Sequence, residues 1–134
     1  MGIYLNIIIM YKLVRWEMKK IIILDDEPDV IYSIKEGLKN DFEIIGVNSG
    51  KHFFQTLESN IPDIILLDIM MPEMNGWQVI KRLKESERLK NIPVIIISAR
   101  TDKIAKKAGN FYADDYIEKP FTIKNVKEKI NKIF

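Results

Sequence analysis

Four short apolar runs along the chain each stop at a charged or hydroxyl residue. Ile21-Ile22-Ile23-Leu24 ends at Asp25-Asp26, and Ile64-Ile65-Leu66-Leu67 ends at Asp68. Val94-Ile95-Ile96-Ile97 ends at Ser98, and Tyr116-Ile117-Glu118 ends at Lys119-Pro120. The first three are apolar at successive positions, as strands covered on both faces are. Phe42 to Val47 reads as a further strand, with Gly46 a weak spot. Between the strands the apolar period changes to that of helices. Val30, Ile34 and Leu38 form one stripe, Phe53, Phe54 and Leu57 a second, and Trp77, Ile80 and Leu83 a third. Ile104, Ala105 and Ala108, with Phe111 or Tyr112, form a fourth, and Ile123, Val126, Ile130 and Ile133 a fifth. Five strands alternating with five helices predict a doubly wound five-stranded parallel sheet with helices on both faces, a three-layer α/β/α sandwich.

Breakers divide these elements. Glu27-Pro28-Asp29 starts the first helix, with proline in the first turn. Ser49-Gly50 marks a turn, and Ile61-Pro62-Asp63 leads into the third strand. Met71 to Gly76 is a loop, after which the third helix is expected to run to about Leu89. Asn91-Ile92-Pro93 opens the fourth strand, and Thr101-Asp102 caps the fourth helix. Parallel strands bring their C-terminal ends to one edge, where open α/β sheets bind ligands. The order acid pair, acid, hydroxyl, lysine therefore predicts one constellation.

The 134 residues suffice for one domain, and 47% apolar with 30% charged residues describes a globular chain. A net charge of +2 does not call for nucleic acid. The lysines at 106–107 and at Lys124, Lys127, Lys129 and Lys132 read as a solvated face, and nucleic acid is not an expected partner. Absent cysteine excludes disulfide and thiol chemistry. Residues 1–17 stand apart. Ile3 to Val14 is apolar but interrupted at Lys12, shorter than the roughly 20 residues a span needs, and lacks a signal peptide's flanks. No membrane partner is expected. The segment is an extra element packed on the domain, or an N-terminal extension ahead of an alternative start at Met18. The domain itself is placed at 18–134.

Asp25, Asp26 and Asp68 gathered at one edge would repel by about 3 kcal/mol per pair at roughly 5 Å. Such a cluster calls for a cation, and oxygen ligands without histidine or thiol favour Mg²⁺. A carboxylate beside that ion can act as a nucleophile toward phosphorus. Asp68, alone at a central strand's end, suits attack, and Asp25 and Asp26 suit metal holding. Lys119 supplies a second positive centre and Ser98 a neutral donor. Singly, each has an ordinary reading: a capping or turn acid, a strand-end hydroxyl, a solvated lysine. His52 reads as a surface residue, and Trp77 and the loop methionines as packing.

Asp25-Asp26-Glu27-Pro28, Asp68 through Gly76, Ser98-Ala99-Arg100 and Asp114 through Phe121 together resemble the response-regulator receiver domains of two-component signalling. The resemblance covers about Met18 to Phe134 and implies a flavodoxin-like fold. It implies that Asp68 takes phosphate from a histidine kinase or phosphotransfer protein, with Mg²⁺ held by Asp25, Asp26, Asp68 and the Met70 backbone carbonyl. It implies further that Ser98 and Lys119 bind the phosphoryl oxygens and that the Lys119-Pro120 bond is cis. Ser98 and Tyr116 would form the switch that remodels the face of helix 4, strand 5 and helix 5 toward a downstream protein. Met70 and Arg100 fall where the family varies its dephosphorylation rate. Two departures touch that face: Tyr112 stands where receivers usually carry glycine, and the stretch from Ser98 to Lys119 is about one residue short. The expectation is a stand-alone cytoplasmic receiver that is no enzyme beyond its own phosphorylation and dephosphorylation. The alternatives are a small Mg²⁺-dependent aspartyl-phosphate phosphatase, a receiver fold acting unphosphorylated, and a flavodoxin-like cofactor module. Asp68-Ile69-Met70 lacks the second acid of such phosphatases, and the acidic first turn disfavours the cofactor module.

Overall fold

A computed structural model of the chain describes residues 2–99 and 113–134, with residues 14–17 described by backbone alone. Five strands form one parallel sheet: β1 (Lys20–Leu24), β2 (Glu43–Val47), β3 (Ile64–Asp68), β4 (Val94–Ala99) and β5 (Asp115–Lys119). Their order is β2-β1-β3-β4-β5. The helices are α1 (Gly2–Glu17), α2 (Pro28–Leu38), α3 (Gly50–Ser59), α4 (Gly76–Lys84) and α5 (Ile123–Ile133). The helix expected from Thr101, Arg100 and the Tyr112 slot lie outside the described residues.

The apolar runs do what their composition requires. Ile21 to Leu24, Ile64 to Leu67 and Val94 to Ile97 are buried throughout, because helices cover both faces of the sheet. On one face Ile22, Leu24, Ile65, Leu67 and Ile96 meet Phe53 and Leu57 of α3 and Val79, Ile80 and Leu83 of α4. On the other, Ile21, Ile23, Leu66 and Ile95 meet Ile34 and Leu38 of α2 and Val126 and Ile130 of α5. Each inward stripe expected for these four helices therefore faces the sheet.

Local signals set the helix starts. Ser49, Asn75 and Thr122 each accept a backbone N–H three residues on, at His52, Gln78 and Asn125. Pro28 occupies the first turn of α2, where its missing N–H costs nothing. Gly46, no mere weak spot, lies where an added Cβ would collide with Ile31 of α2.

One expectation needs correction. The third helix stops at Lys84, short of Leu89: Glu85 caps it, and Leu89 and Lys90 donate back to the Ser86 carbonyl in a separate turn. Leu89 is buried by that turn, which Arg88 anchors through a 2.6 Å hydrogen bond to the Leu57 carbonyl. Apolar burial there mimicked helical spacing. The N-terminal segment is a helix whose large apolar residues from Ile3 to Leu13 are 47–76% exposed, with Tyr11 lining a hollow beside Lys35 and Phe42.

Candidate functional site

In this strand order successive strands are added outward in opposite directions from the neighbours β1 and β3, and the crevice between their C-terminal ends is where doubly wound sheets take ligands. Asp25 follows β1 and Asp68 closes β3, so both acids stand at that crevice. Asp25 N–H still donates to the Val47 carbonyl, extending the β1–β2 ladder by one residue before the chain turns. Asp25 is fully buried, Asp68 is 2% exposed, and Ser98 is 1% exposed.

The two buried acids are held alike. Oδ1 of Asp25 accepts the Glu27 N–H at 2.9 Å, and Oδ1 of Asp68 accepts the Met70 N–H at 3.0 Å. Each oxygen thus fixes a turn two residues long, and each leaves Oδ2 pointing at the same ammonium. Lys119 Nζ lies 3.0 Å from Asp25 Oδ2 and 3.5 Å from Asp68 Oδ2. It also donates to Glu27 Oε1 at 3.1 Å. The Lys119-Pro120 bond that follows is cis, as the sequence resemblance implied.

Electrostatics matches this crowding. Burial, with the neighbouring Asp25 and Asp26, pushes the Asp68 carboxyl up to about 7, against the opposing pull of the Met70 N–H and Lys119. Burial works to lower the Lys119 ammonium, but Asp25, Asp68 and Glu27 outweigh it and raise its pKa.

The residues present fit a hard divalent cation. Asp25, Asp26, Glu27 and Asp68 offer carboxylate oxygens within 4.8 Å of one another. Asp25 Oδ2 is buried without a hydrogen bond; its contact with Lys119 is an ion pair alone. An orphaned buried carboxylate oxygen among further acids, with no nitrogen or sulfur donor, suits Mg²⁺. Asp26, half-buried, also lines a hollow of about 320 Å³ with Asn48, Ser49, Met71 and Met74.

The structure thus brings Asp25, Asp26, Asp68 and Lys119 together. Ser98 lies at the same edge on β4, one residue beyond Ile97, the partner of Asp68, and in register with Glu118. Tyr116 sits further back, paired with Ile96. It is half-buried against the core, and its hydroxyl donates to the Ala99 carbonyl at 3.4 Å. Met70 contributes its N–H to Asp68 while its side chain is 65% exposed. Sequence reasoning missed Glu27 as a site residue. Its signal was present: a third acid directly after the acid pair, at a strand end destined to meet a lysine.

A doubly wound sheet with an acid-lined crevice and a facing lysine defines a narrow class of α/β protein. The response regulator receiver domain model matches residues 21–131. The chain belongs to that family. It is 36% identical over 115 residues to the response regulator ArlR of Staphylococcus saprophyticus, covering 84% of this chain and 51% of that protein. It is 34% identical over 118 residues to histidine kinase P4 of Formosa agariphila, covering 87% of this chain and 9% of that protein. Among solved structures, the receiver domain of Francisella response regulator 1452 superposes with a TM-score of 0.76 at 29% identity, covering 86% of this chain and 95% of that one. The chemotaxis response regulator CheY4 of Vibrio cholerae gives 0.80 at 20% identity, covering 87% and 99%, a likeness of fold. The chain spans about half the length of ArlR and a small part of the kinase.

Proposed function

We propose that the protein is a phosphoacceptor of a two-component phosphorelay, taking a phosphoryl group onto Asp68. The observation that carries this is the meeting of Asp25, Asp68 and Lys119 within 3.5 Å at the sheet's ligand-binding edge. A carboxylate oxygen of Asp68 attacks the phosphorus of a phosphohistidine. A P–O bond forms as the P–N bond breaks, and the electron pair leaves with the imidazole, which takes a proton from solvent. Such transfers need little covalent help beyond positioning and charge neutralisation.

Each side chain has a part in that positioning. The Met70 N–H fixes the carboxylate rotamer of Asp68. Lys119, already facing Asp68, neutralises charge on the incoming phosphoryl oxygens and exchanges Asp25 and Glu27 for them. Ser98 offers a hydroxyl donor from the adjacent strand. Asp25, Asp26, Asp68 and the Met70 carbonyl would hold Mg²⁺, which supplies further neutralisation of the transferring group. Movement of Ser98 toward the phosphoryl group and of the Tyr116 ring into the vacated space would alter the face of helix 4, strand 5 and helix 5. Strand 5 is β5 and helix 5 is α5; helix 4 is the element expected after Thr101. A downstream protein would read that face, and a cytoplasmic location follows from access to the kinase.

Incubation with acetyl phosphate and Mg²⁺, followed by intact mass, tests the assignment. One added phosphoryl group is expected, lost on chelation of the metal before incubation and absent in Asp68→Asn. Phosphate appearing on that variant would overturn it. Repeated turnover of a generic phosphate monoester would instead point to the phosphatase alternative.

A further inference from the structure

The feature that the receiver site leaves unused is α1. Nine large apolar residues between Ile3 and Leu13 are 47–76% exposed. At about 100° per residue they face every side of the helix, with Asn6 the sole polar residue before Lys12. A partner helix or a second copy would cover one stripe and leave the others in water. An environment apolar on all sides covers them all.

The flanking charge points to the kind of apolar environment. From Lys12 to Lys20 the chain carries Lys12, Arg15, Lys19 and Lys20 against the single acid Glu17. Lys12 and Lys19 are exposed. Lys12 and Arg15 belong to the C-terminal half of α1 and Lys19 and Lys20 follow it, and such a basic run at one end of an apolar helix complements anionic phospholipid headgroups. Ile3 to Leu13 rises about 16 Å, half of the ~30 Å hydrocarbon core. Among the described residues no helix is long and apolar enough to cross a membrane. Insertion into one leaflet has no such requirement.

We infer that α1 inserts into the near leaflet of an anionic phospholipid bilayer and tethers the domain there. The expectation of no membrane partner rested on the length of a span and does not bear on this shorter insertion. The tether joins the sheet at Lys20, the N-terminal end of β1, whereas Asp25 and Asp68 stand at the opposite edge. Five residues of strand, about 16 Å, separate the two, so lipid contact leaves the acid crevice open.

The full chain, sedimented with phosphatidylcholine vesicles with and without phosphatidylglycerol, tests this. Pelleting with the anionic vesicles is expected, at least about tenfold weaker for Ile8→Glu or Leu5→Glu and several-fold weaker at raised salt. Both side chains are exposed, so the variants should keep the urea midpoint of the parent. Full-length protein remaining in the supernatant would overturn the inference. So would pelleting that ignores Ile8→Glu, pelleting indifferent to lipid charge, or a lipid-free dimer that Ile8→Glu breaks. Native-source protein whose intact mass begins at Met18 would overturn it as well.

Discussion

Asp25 and Asp68 are mirror uses of one device: each ties Oδ1 to the N–H two residues ahead and leaves Oδ2 against Lys119, at 3.0 and 3.5 Å. The pairing makes the crevice electrostatically expensive without a cation. Burial and the adjoining acids raise Asp68 to about 7, so near neutral pH it is partly protonated in the metal-free protein. Metal binding must then displace that proton. Mg²⁺ affinity is expected to rise about tenfold per pH unit below pH 7 and to level off above it. Calorimetric titration from pH 5.5 to 8.5 checks this; a flat profile would refute the assignment of Asp68 as a ligand.

The same shift has a consequence for stability. A carboxyl whose folded-state pKa lies above its unfolded value contributes stability that is fully present below about pH 4. That contribution is lost as pH rises through about 7, where the buried group must ionise. Without metal, the protein should therefore weaken from pH 4 to 8 relative to Asp68→Asn. At about 1.4 kcal/mol per pH unit over the roughly three units between the two pKa values, the gap in urea unfolding free energy should widen by about 4 kcal/mol. Equal pH slopes for parent and variant would contradict the raised pKa.

Much of this was legible in the chain. The order of Asp25-Asp26, Asp68, Ser98 and Lys119 after apolar runs specified the edge, because parallel strands must end together. Strands β1, β3 and β4 declared themselves by continuous burial, and β5 by Ile117 between polar neighbours. Other features lacked a local signal. The end of α4 was obscured because Leu89 is apolar and buried in a turn rather than a helix. Phe42 reads as strand but is buried just outside β2, its N–H turned back to the Leu38 carbonyl. Glu27 differs: a third acid directly after the pair marked its position, and only its contact with Lys119 is encoded by no spacing.

Lys119 should matter to folding as well as to phosphotransfer. Asp25 Oδ2 is buried and accepts no hydrogen bond, so the ammonium is what offsets its charge. Lys119→Met should cost about 3 kcal/mol at pH 8, the usual scale for stranding one partner of a buried pair. Saturating Mg²⁺ should recover part of that loss if the same oxygen ligates metal. Urea unfolding with and without the ion measures both terms. A Lys119→Met variant as stable as the parent would show that Asp25 has another counter-charge.

The loop behind Asp68 is fixed by a close backbone approach at Gly76. Its N–H donates to the Ile69 carbonyl at 2.9 Å. A Cβ there would stand 2.7 Å from Ile69 Cα and 3.0 Å from the Asp68 carbonyl oxygen. Neither atom can yield without moving the backbone that carries the acceptor and the Met70 N–H. Gly50 offers the control: a Cβ there meets the thioether of Met74, the far end of a flexible side chain. Gly76→Ala should cost about 2–3 kcal/mol and slow acetyl-phosphate labelling, whereas Gly50→Ala should cost under about 1 kcal/mol. Thermal unfolding and labelling rates for the two variants separate the cases. Equal penalties would mean that the Asp68 loop relaxes around a methyl group, and that its position does not depend on Gly76.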